Sequence, residues 1–106
     1  VYSLCGGIDP LHTLPIIFDV GTNNQELLND PLYLGWRHPR IQGADYDRFV
    51  DRVIDAIEHK FPRVFLHWED FGRANAQRYL QRYQSRICTF NDDIQGTGIV
   101  TLAALM

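Results

Sequence analysis

Residues 88–97 read CTFNDDIQGT, and this stretch predicts both the fold class and the place of a site. A short apolar run ends in two adjacent acids, and a glycine turn then opens the last helical segment. Residues 64–71, VFLHWEDF, have the same design. In open α/β sheets, ligands bind beyond the carboxyl ends of parallel strands. We therefore expect one sheet edge to carry all four acids of these two stretches, which are Glu69, Asp70, Asp92 and Asp93.

The chain around these acids predicts a strand, a helix and a second strand. Residues 64–68 are a continuous apolar run, as is typical of a strand covered on both faces in a parallel sheet. Apolar residues recur at helical spacing over 71–83, and residues 87–90 form the next apolar run. The pattern predicts an α/β fold with a right-handed βαβ unit. Before it, residues 45–60 show the spacing of an amphipathic helix.

The first part of the chain gives weaker signals. Residues 1–5 and 14–20 are rich in branched and aromatic side chains, which favours two strands, the second of them buried. A short helical turn is expected at 26–28. The Asn-Asp-Pro run at 29–31 predicts a helix N-terminus, and the basic segment that follows is interpreted as a solvated connector.

Composition excludes several function classes. The chain has 106 residues, 45% of them hydrophobic and 22% charged, which is typical of at most one globular domain. The net charge of −3 and the scattered basic residues argue against nucleic-acid binding. The sequence contains no apolar run of membrane-spanning length. We expect neighbouring segments on both sides, since the chain begins inside an apolar run and stops inside a helical pattern.

The two cysteines predict a reducing compartment. Cys5 and Cys88 lie in apolar segments and lack the spacing of metal ligands, so we interpret them as buried thiols rather than as a disulfide. The expected location is the cytoplasm, or the mitochondrial matrix in a eukaryote.

The four acids have a structural interpretation and a functional one. Asp70 stands where a helix N-cap belongs, as do Asn91, Asp92 and Asp93, and a cap is worth about 1 kcal/mol. However, two caps need only two acids. Two unit charges about 4 Å apart repel by roughly 4 kcal/mol at an effective dielectric of 20, so a cluster of four needs a cation or protons. All-oxygen ligands favour Mg²⁺ or Mn²⁺ over zinc.

At this point the chain resembles the malic enzymes. The resemblance covers nearly the whole chain, in the family's order and at its intervals. It is carried by VYSLCGGIDP, LPIIFDVGTNN, LLNDPLYLGWRHPR, WEDFGRANA and CTFNDDIQGT.

The resemblance implies a fold and an activity. Residues 1–93 would belong to the N-terminal metal and substrate domain, and residues 94–106 would begin the dinucleotide-binding domain. The family oxidises L-malate with NAD⁺ or NADP⁺ and decarboxylates it to pyruvate and CO₂, using Mg²⁺ or Mn²⁺. As a full-length protein we expect a homo-oligomer, either a dimer or a tetramer.

The resemblance also implies roles for the acids. Glu69, Asp70 and Asp93 match the family's metal ligands. Asp93 also lies where the family binds its cofactor, and Asp92 matches an acid that supports the catalytic lysine. That lysine would lie upstream of Val1, and most of the dinucleotide fold would lie downstream. We therefore expect these 106 residues to be inactive alone.

Two other interpretations remain open at this point. Acids at strand ends also serve Mg²⁺-dependent phosphoryl-transfer and hydrolase domains. A folded interaction domain whose acids only cap helices is the non-enzymatic alternative. A lysine directly upstream and a nucleotide fold downstream would favour malate chemistry over both.

Overall fold

The computed structural model describes residues 2–106, which divide after residue 47 into two compact units. Within these residues no helix combines the length and the apolar character needed to cross a membrane. The helices are α1 Gln25–Asn29, α2 Gly43–Lys60, α3 Arg73–Tyr83 and α4 Thr97–Leu105; the strands are β1 Leu66–Trp68 and β2 Thr89–Asn91.

Strands β1 and β2 form a parallel pair with α3 between them in sequence. The register aligns Leu66 with Thr89 and Trp68 with Asn91. The predicted α/β class with a parallel βαβ unit is therefore confirmed. Because Trp68 and Asn91 are register partners, both strands end at the same level, and the residues that follow them leave one sheet edge together.

Trp68, the last residue of β1, is held in place by contacts with α3 and β2. Trp68 is 4% exposed and stacks on Tyr79 and Tyr83 of α3, with ring centroids 6.2 and 5.8 Å away. Its indole N–H donates to the Thr89 hydroxyl of β2, which donates in turn to the Leu66 carbonyl at 3.0 Å. Offset aromatic pairs and a satisfied indole both stabilise such a position. The buried hydrophobic residues are Val50, Ile54, Trp68, Ala76, Tyr79, Leu80 and Tyr83.

Tyr83 joins α3 to the middle of α2. Its hydroxyl donates to the Asp51 carboxylate, which also pairs with Arg82 at 2.6 Å. Burial, followed by the hydrogen bond to Asp51, raises the pKa of Tyr83 to about 12. Tyr83 therefore remains a neutral donor at ordinary pH. One turn beyond, Arg86 pairs with Asp55 and Glu58 on α2.

The first unit is built around an aspartate and a glycine. The Asp19 carboxylate accepts backbone N–H groups from Gly21 at 2.9 Å and from Trp36 at 2.6 Å. These bonds, the one from Trp36 first, hold the pKa of Asp19 below its usual value. Gly21 has φ +82°, and a Cβ there would lie 2.5 Å from the His38 carbonyl oxygen. The backbone can approach this closely only because position 21 has no side chain.

Three predictions for the first unit are wrong. Residues 2–6 form turns rather than a strand, and position 1 lies outside the described residues. Residues 14–20 are extended but mostly exposed, and no described segment pairs with them as a strand. The predicted helix start at 29–31 is the end of α1, because the Asn24 side chain caps that helix by accepting from Glu26 N–H at 2.9 Å. The short helical turn expected at 26–28 is confirmed.

The cysteines also differ from their prediction. Cys5 and Cys88 are both exposed and both free. Cys5 lies in the turn at residues 2–6, and Cys88 immediately precedes β2, so neither is enclosed by the elements it adjoins. An apolar sequence context therefore gave the wrong burial for both thiols.

Candidate functional site

The shared carboxyl edge of β1 and β2 brings three potential ligands together. His67, Glu69 and Asp92 each offer one ligand atom, and these atoms all lie within 4.8 Å of one another. His67 and Glu69 are two residues apart, which is the spacing that places side chains on one face of a strand. Their Nε2 and Oε2 atoms are 3.5 Å apart. Asp92 joins them because it follows Asn91, the register partner of Trp68.

The backbone reverses sharply after Glu69. Asp70 has φ +59°, the only positive φ of a non-glycine residue in the described chain. Aspartate tolerates this left-handed conformation better than most residues. Gly72, with φ +72°, is the N-cap of α3, and no side chain caps that helix. The interpretation of Asp70 as the α3 cap is therefore wrong, and its exposed carboxylate has no capping role there.

A π-helical turn, Asp92–Gly96, connects β2 to α4. Asn91 caps this turn: its side-chain oxygen accepts from the Ile94 N–H at 3.2 Å. The helix start thus uses the amide of Asn91, which is 1% exposed, and leaves the carboxylates of Asp92 and Asp93 exposed. Single-turn π segments occur frequently at functional sites.

Gly96 makes room for the Asp92 carboxylate. A Cβ at position 96 would lie 2.0 Å from Asp92 Oδ1 and 2.9 Å from its Cγ. The position of the Asp92 side chain therefore depends on the absence of a side chain one turn later. The same turn is supported by the Thr97 hydroxyl, which donates to the Asp92 carbonyl at 3.4 Å.

The predicted site residues are thus partly gathered. Glu69 and Asp92 lie in one group, whereas Asp70 and Asp93, each one residue further along the chain, are not members of it. The assignment of Glu69, Asp70 and Asp93 as metal ligands stays a prediction. Carboxylates that are exposed and unused by helix caps are suitable donors for Mg²⁺ or Mn²⁺.

His67 is the member of the group that sequence reasoning missed. Its place inside the apolar run at 64–68 favours a core histidine, yet its side chain is 26% exposed and lies beside Glu69. The signal was available in the sequence: positions 67 and 69 are two residues apart, the spacing that places side chains of an extended segment on one face. The continuous apolar run obscured that alternation.

Comparison with known proteins gives one family. The family described as "Malic enzyme, N-terminal domain" matches residues 1–84. Proteins named "NAD-dependent malic enzyme" from Sodalis glossinidius (strain morsitans) and Erwinia tasmaniensis are each 58% identical over all 106 residues, which is 19% of their own length. "NAD-dependent malic enzyme 1" of Vibrio vulnificus (strain YJ016) is 57% identical over the same span. The chain therefore spans about a fifth of the length of these relatives.

Proposed function

The chain belongs to the malic enzyme family, and we propose that the full-length protein oxidises L-malate and decarboxylates it to pyruvate and CO₂. We propose NAD⁺ as the hydride acceptor, because the relatives at 57–58% identity are named as NAD-dependent enzymes. The observation that carries the proposal is the gathering of acids at the carboxyl edge of β1 and β2 in a chain of this family.

We propose that Glu69, Asp70 and Asp93 hold one Mg²⁺ or Mn²⁺. Support comes from the helix caps, since α3 is capped at Gly72 and the π-helical turn is capped by Asn91. Capping therefore accounts for none of these three carboxylates. All three follow, within two residues, strand ends that the register aligns, and like charges brought together there would favour a bound cation. When bound, the cation would supply Lewis-acid polarisation of the malate hydroxyl and carboxylate oxygens.

The protein's own residues would position this chemistry. Trp68, packed on α3 and bonded to Thr89, fixes the strand end from which Glu69 and Asp70 project. Asp92 sits in the space that Gly96 leaves open, where its negative charge would favour the protonated form of a catalytic lysine contributed from elsewhere in the protein. Held geometry of this kind lowers the entropy cost of reaching the reactive arrangement.

Two further properties are proposed from family membership and the thiols. We propose that the full-length protein is a homo-oligomer. We also propose a reducing compartment, the cytoplasm, because Cys5 and Cys88 are both free.

The test is steady-state kinetics of the full-length protein. Purified protein is supplied with malate, NAD⁺ and Mg²⁺ or Mn²⁺, and NADH is followed by absorbance. We expect malate-dependent NADH formation that falls by about 10²-fold or more in Asp93→Asn, because a ligand to the charge-stabilising centre is removed. Asp55→Asn is the matched control: Asp55 is an exposed aspartate on α2 whose partner Arg86 keeps Glu58.

Either of two results would contradict the proposal. Absence of malate-dependent NADH formation in the metal-loaded parent would refute the proposed activity. If Asp93→Asn kept the kinetics of the parent down to low metal concentration, the assignment of Asp93 as a metal ligand would be refuted, while the proposed activity would stand.

A further inference from the structure

We infer that His67, Glu69 and Asp92 form a mixed nitrogen and oxygen site that binds a first-row transition-metal dication more tightly than Mg²⁺. The site shares Glu69 with the proposed all-carboxylate set, so the inference deepens the proposed function and rests on it for the identity of the reaction. His67 and Asp92 have no place in the proposed set of metal ligands.

The spacing of the ligand atoms fits a small cation. Two ligand atoms that each lie about 2.1 Å from a tetrahedral ion stand about 3.4 Å apart. His67 Nε2 and Glu69 Oε2 are already 3.5 Å apart. The widest separation in the group is at most 4.8 Å, so a small side-chain rotation of an exposed carboxylate would complete the third contact.

The donor types decide which cation is preferred. Imidazole nitrogen suits Zn²⁺, Ni²⁺, Cu²⁺ and iron, whereas Mg²⁺ prefers oxygen ligands and retains much of its hydration. A site with one imidazole and two carboxylates therefore gains affinity for a transition metal and little for Mg²⁺. Mn²⁺ accepts both donor types, which makes it a useful probe of either site.

The surrounding contacts position two of the three groups, the His67 ring and the Asp92 side chain. The His67 ring meets the edge of Phe90, its register partner on β2, at a centroid distance of 5.4 Å. The Asp92 side chain occupies the space above Gly96. Glu69 and Asp92 are both exposed, so a hydrated cation can reach them.

The shared ligand has a regulatory consequence. A transition metal bound through His67 and Asp92 would occupy Glu69, which the all-carboxylate set also needs. The two sets would therefore compete for one carboxylate, and a transition metal such as Zn²⁺ would inhibit turnover supported by Mg²⁺.

Pulsed electron paramagnetic resonance of bound Mn²⁺ tests the nitrogen ligand directly. Tag-free full-length protein is stripped of metal, loaded with Mn²⁺ alone and examined for nitrogen modulation. We expect modulation in the parent that changes when the protein is grown with isotopically labelled histidine, and that is lost in His67→Gln. The labelled parent needs no substitution, so the result does not depend on the variant folding. His59→Gln, at the exposed end of α2, is the matched control and should keep the modulation.

Calorimetry gives the expected selectivity. Ni²⁺ affinity of the full-length protein should fall about tenfold or more in His67→Gln, while Mg²⁺ affinity should change less than about twofold. Absence of nitrogen modulation in the parent, or its persistence in His67→Gln, would overturn the inference.

A parallel assay of malate-dependent NADH formation with Mg²⁺ separates the two ideas. An active parent without a nitrogen ligand refutes this inference alone. A nitrogen-ligated but inactive protein refutes the proposed function alone.

Discussion

Replacing Gly96 with alanine tests how Asp92 is positioned, with little other disturbance. Gly96 has φ −63° and ψ −51°, a helical conformation that alanine adopts without strain. The added methyl group would lie 2.0 Å from Asp92 Oδ1. The variant therefore moves one carboxylate while it leaves the backbone conformation accessible.

The size of the displacement follows from van der Waals contact. A carbon and an oxygen approach to about 3.4 Å, so the Asp92 carboxylate has to retreat by roughly 1.4 Å. A misplacement of about 1 Å in a catalytic arrangement costs up to roughly 10²-fold in rate. We expect kcat/KM for malate to fall between about tenfold and a hundredfold. Stability should not fall, because alanine is favoured over glycine in a helix by up to about 1 kcal/mol.

Gly98→Ala is the matched control. It lies two residues later in α4, and a Cβ there meets nothing within 4 Å. It carries the same gain in helix propensity without the clash. Both variants are made in the full-length protein and compared by steady-state kinetics and by thermal unfolding. Equal kcat/KM values for the two variants would refute the claim that the space above Gly96 positions Asp92.

Two stability predictions follow from single contacts in the full-length protein. Tyr83→Phe should cost about 1–3 kcal/mol in guanidinium unfolding near neutral pH, since it leaves Asp51 without the hydroxyl donor. The folded pKa of Tyr83, about 12, lies above the ordinary value of 10. The difference in unfolding free energy between parent and variant should therefore be complete below pH 10 and vanish towards pH 12. A difference that does not change with pH would contradict this. Gly21→Ala should lower the melting temperature more than Gly7→Ala. Both positions have positive φ, which costs a side chain roughly 1–2 kcal/mol, but only at Gly21 would the added Cβ meet a carbonyl oxygen, that of His38 at 2.5 Å. Equal losses of melting temperature in the two variants would refute the clash.

The second unit was predictable because its signals are local and agree with one another. Residues 45–60 and 71–83 show helical periodicity, and the observed helices differ from them by two residues at the N-terminal end. The apolar runs at 64–68 and 87–90 also contain most of the strand pairing. Parallel pairing of two such runs around a helix then places their carboxyl ends together, and this brings Glu69 and Asp92 of the four acids into one group.

The first unit was less predictable because a segment of high strand propensity forms a strand only where another segment pairs with it. Residues 14–20 have the composition of a buried strand, yet what orders their end is the Asp19 carboxylate, which accepts N–H groups from Gly21 and Trp36. A bond to a residue seventeen positions away leaves no periodic trace in the sequence. The cap of α1 was missed for a related reason: Asn24 and the Asn-Asp-Pro run at 29–31 are both good helix starts, and only the structure shows which one is used.

The helix caps change what the acids at the sheet edge can be. A protein that needed acids only to begin its helices would place them at the two N-caps, where each is worth about 1 kcal/mol. Here those positions are held by Gly72, which offers no side chain, and by Asn91, which carries no charge. The left-handed conformation of Asp70 adds a local cost that no observed cap recovers. Glu69 and Asp92 thus lie in one group at the sheet edge without serving as caps, and a cation bound there would offset the repulsion between their charges.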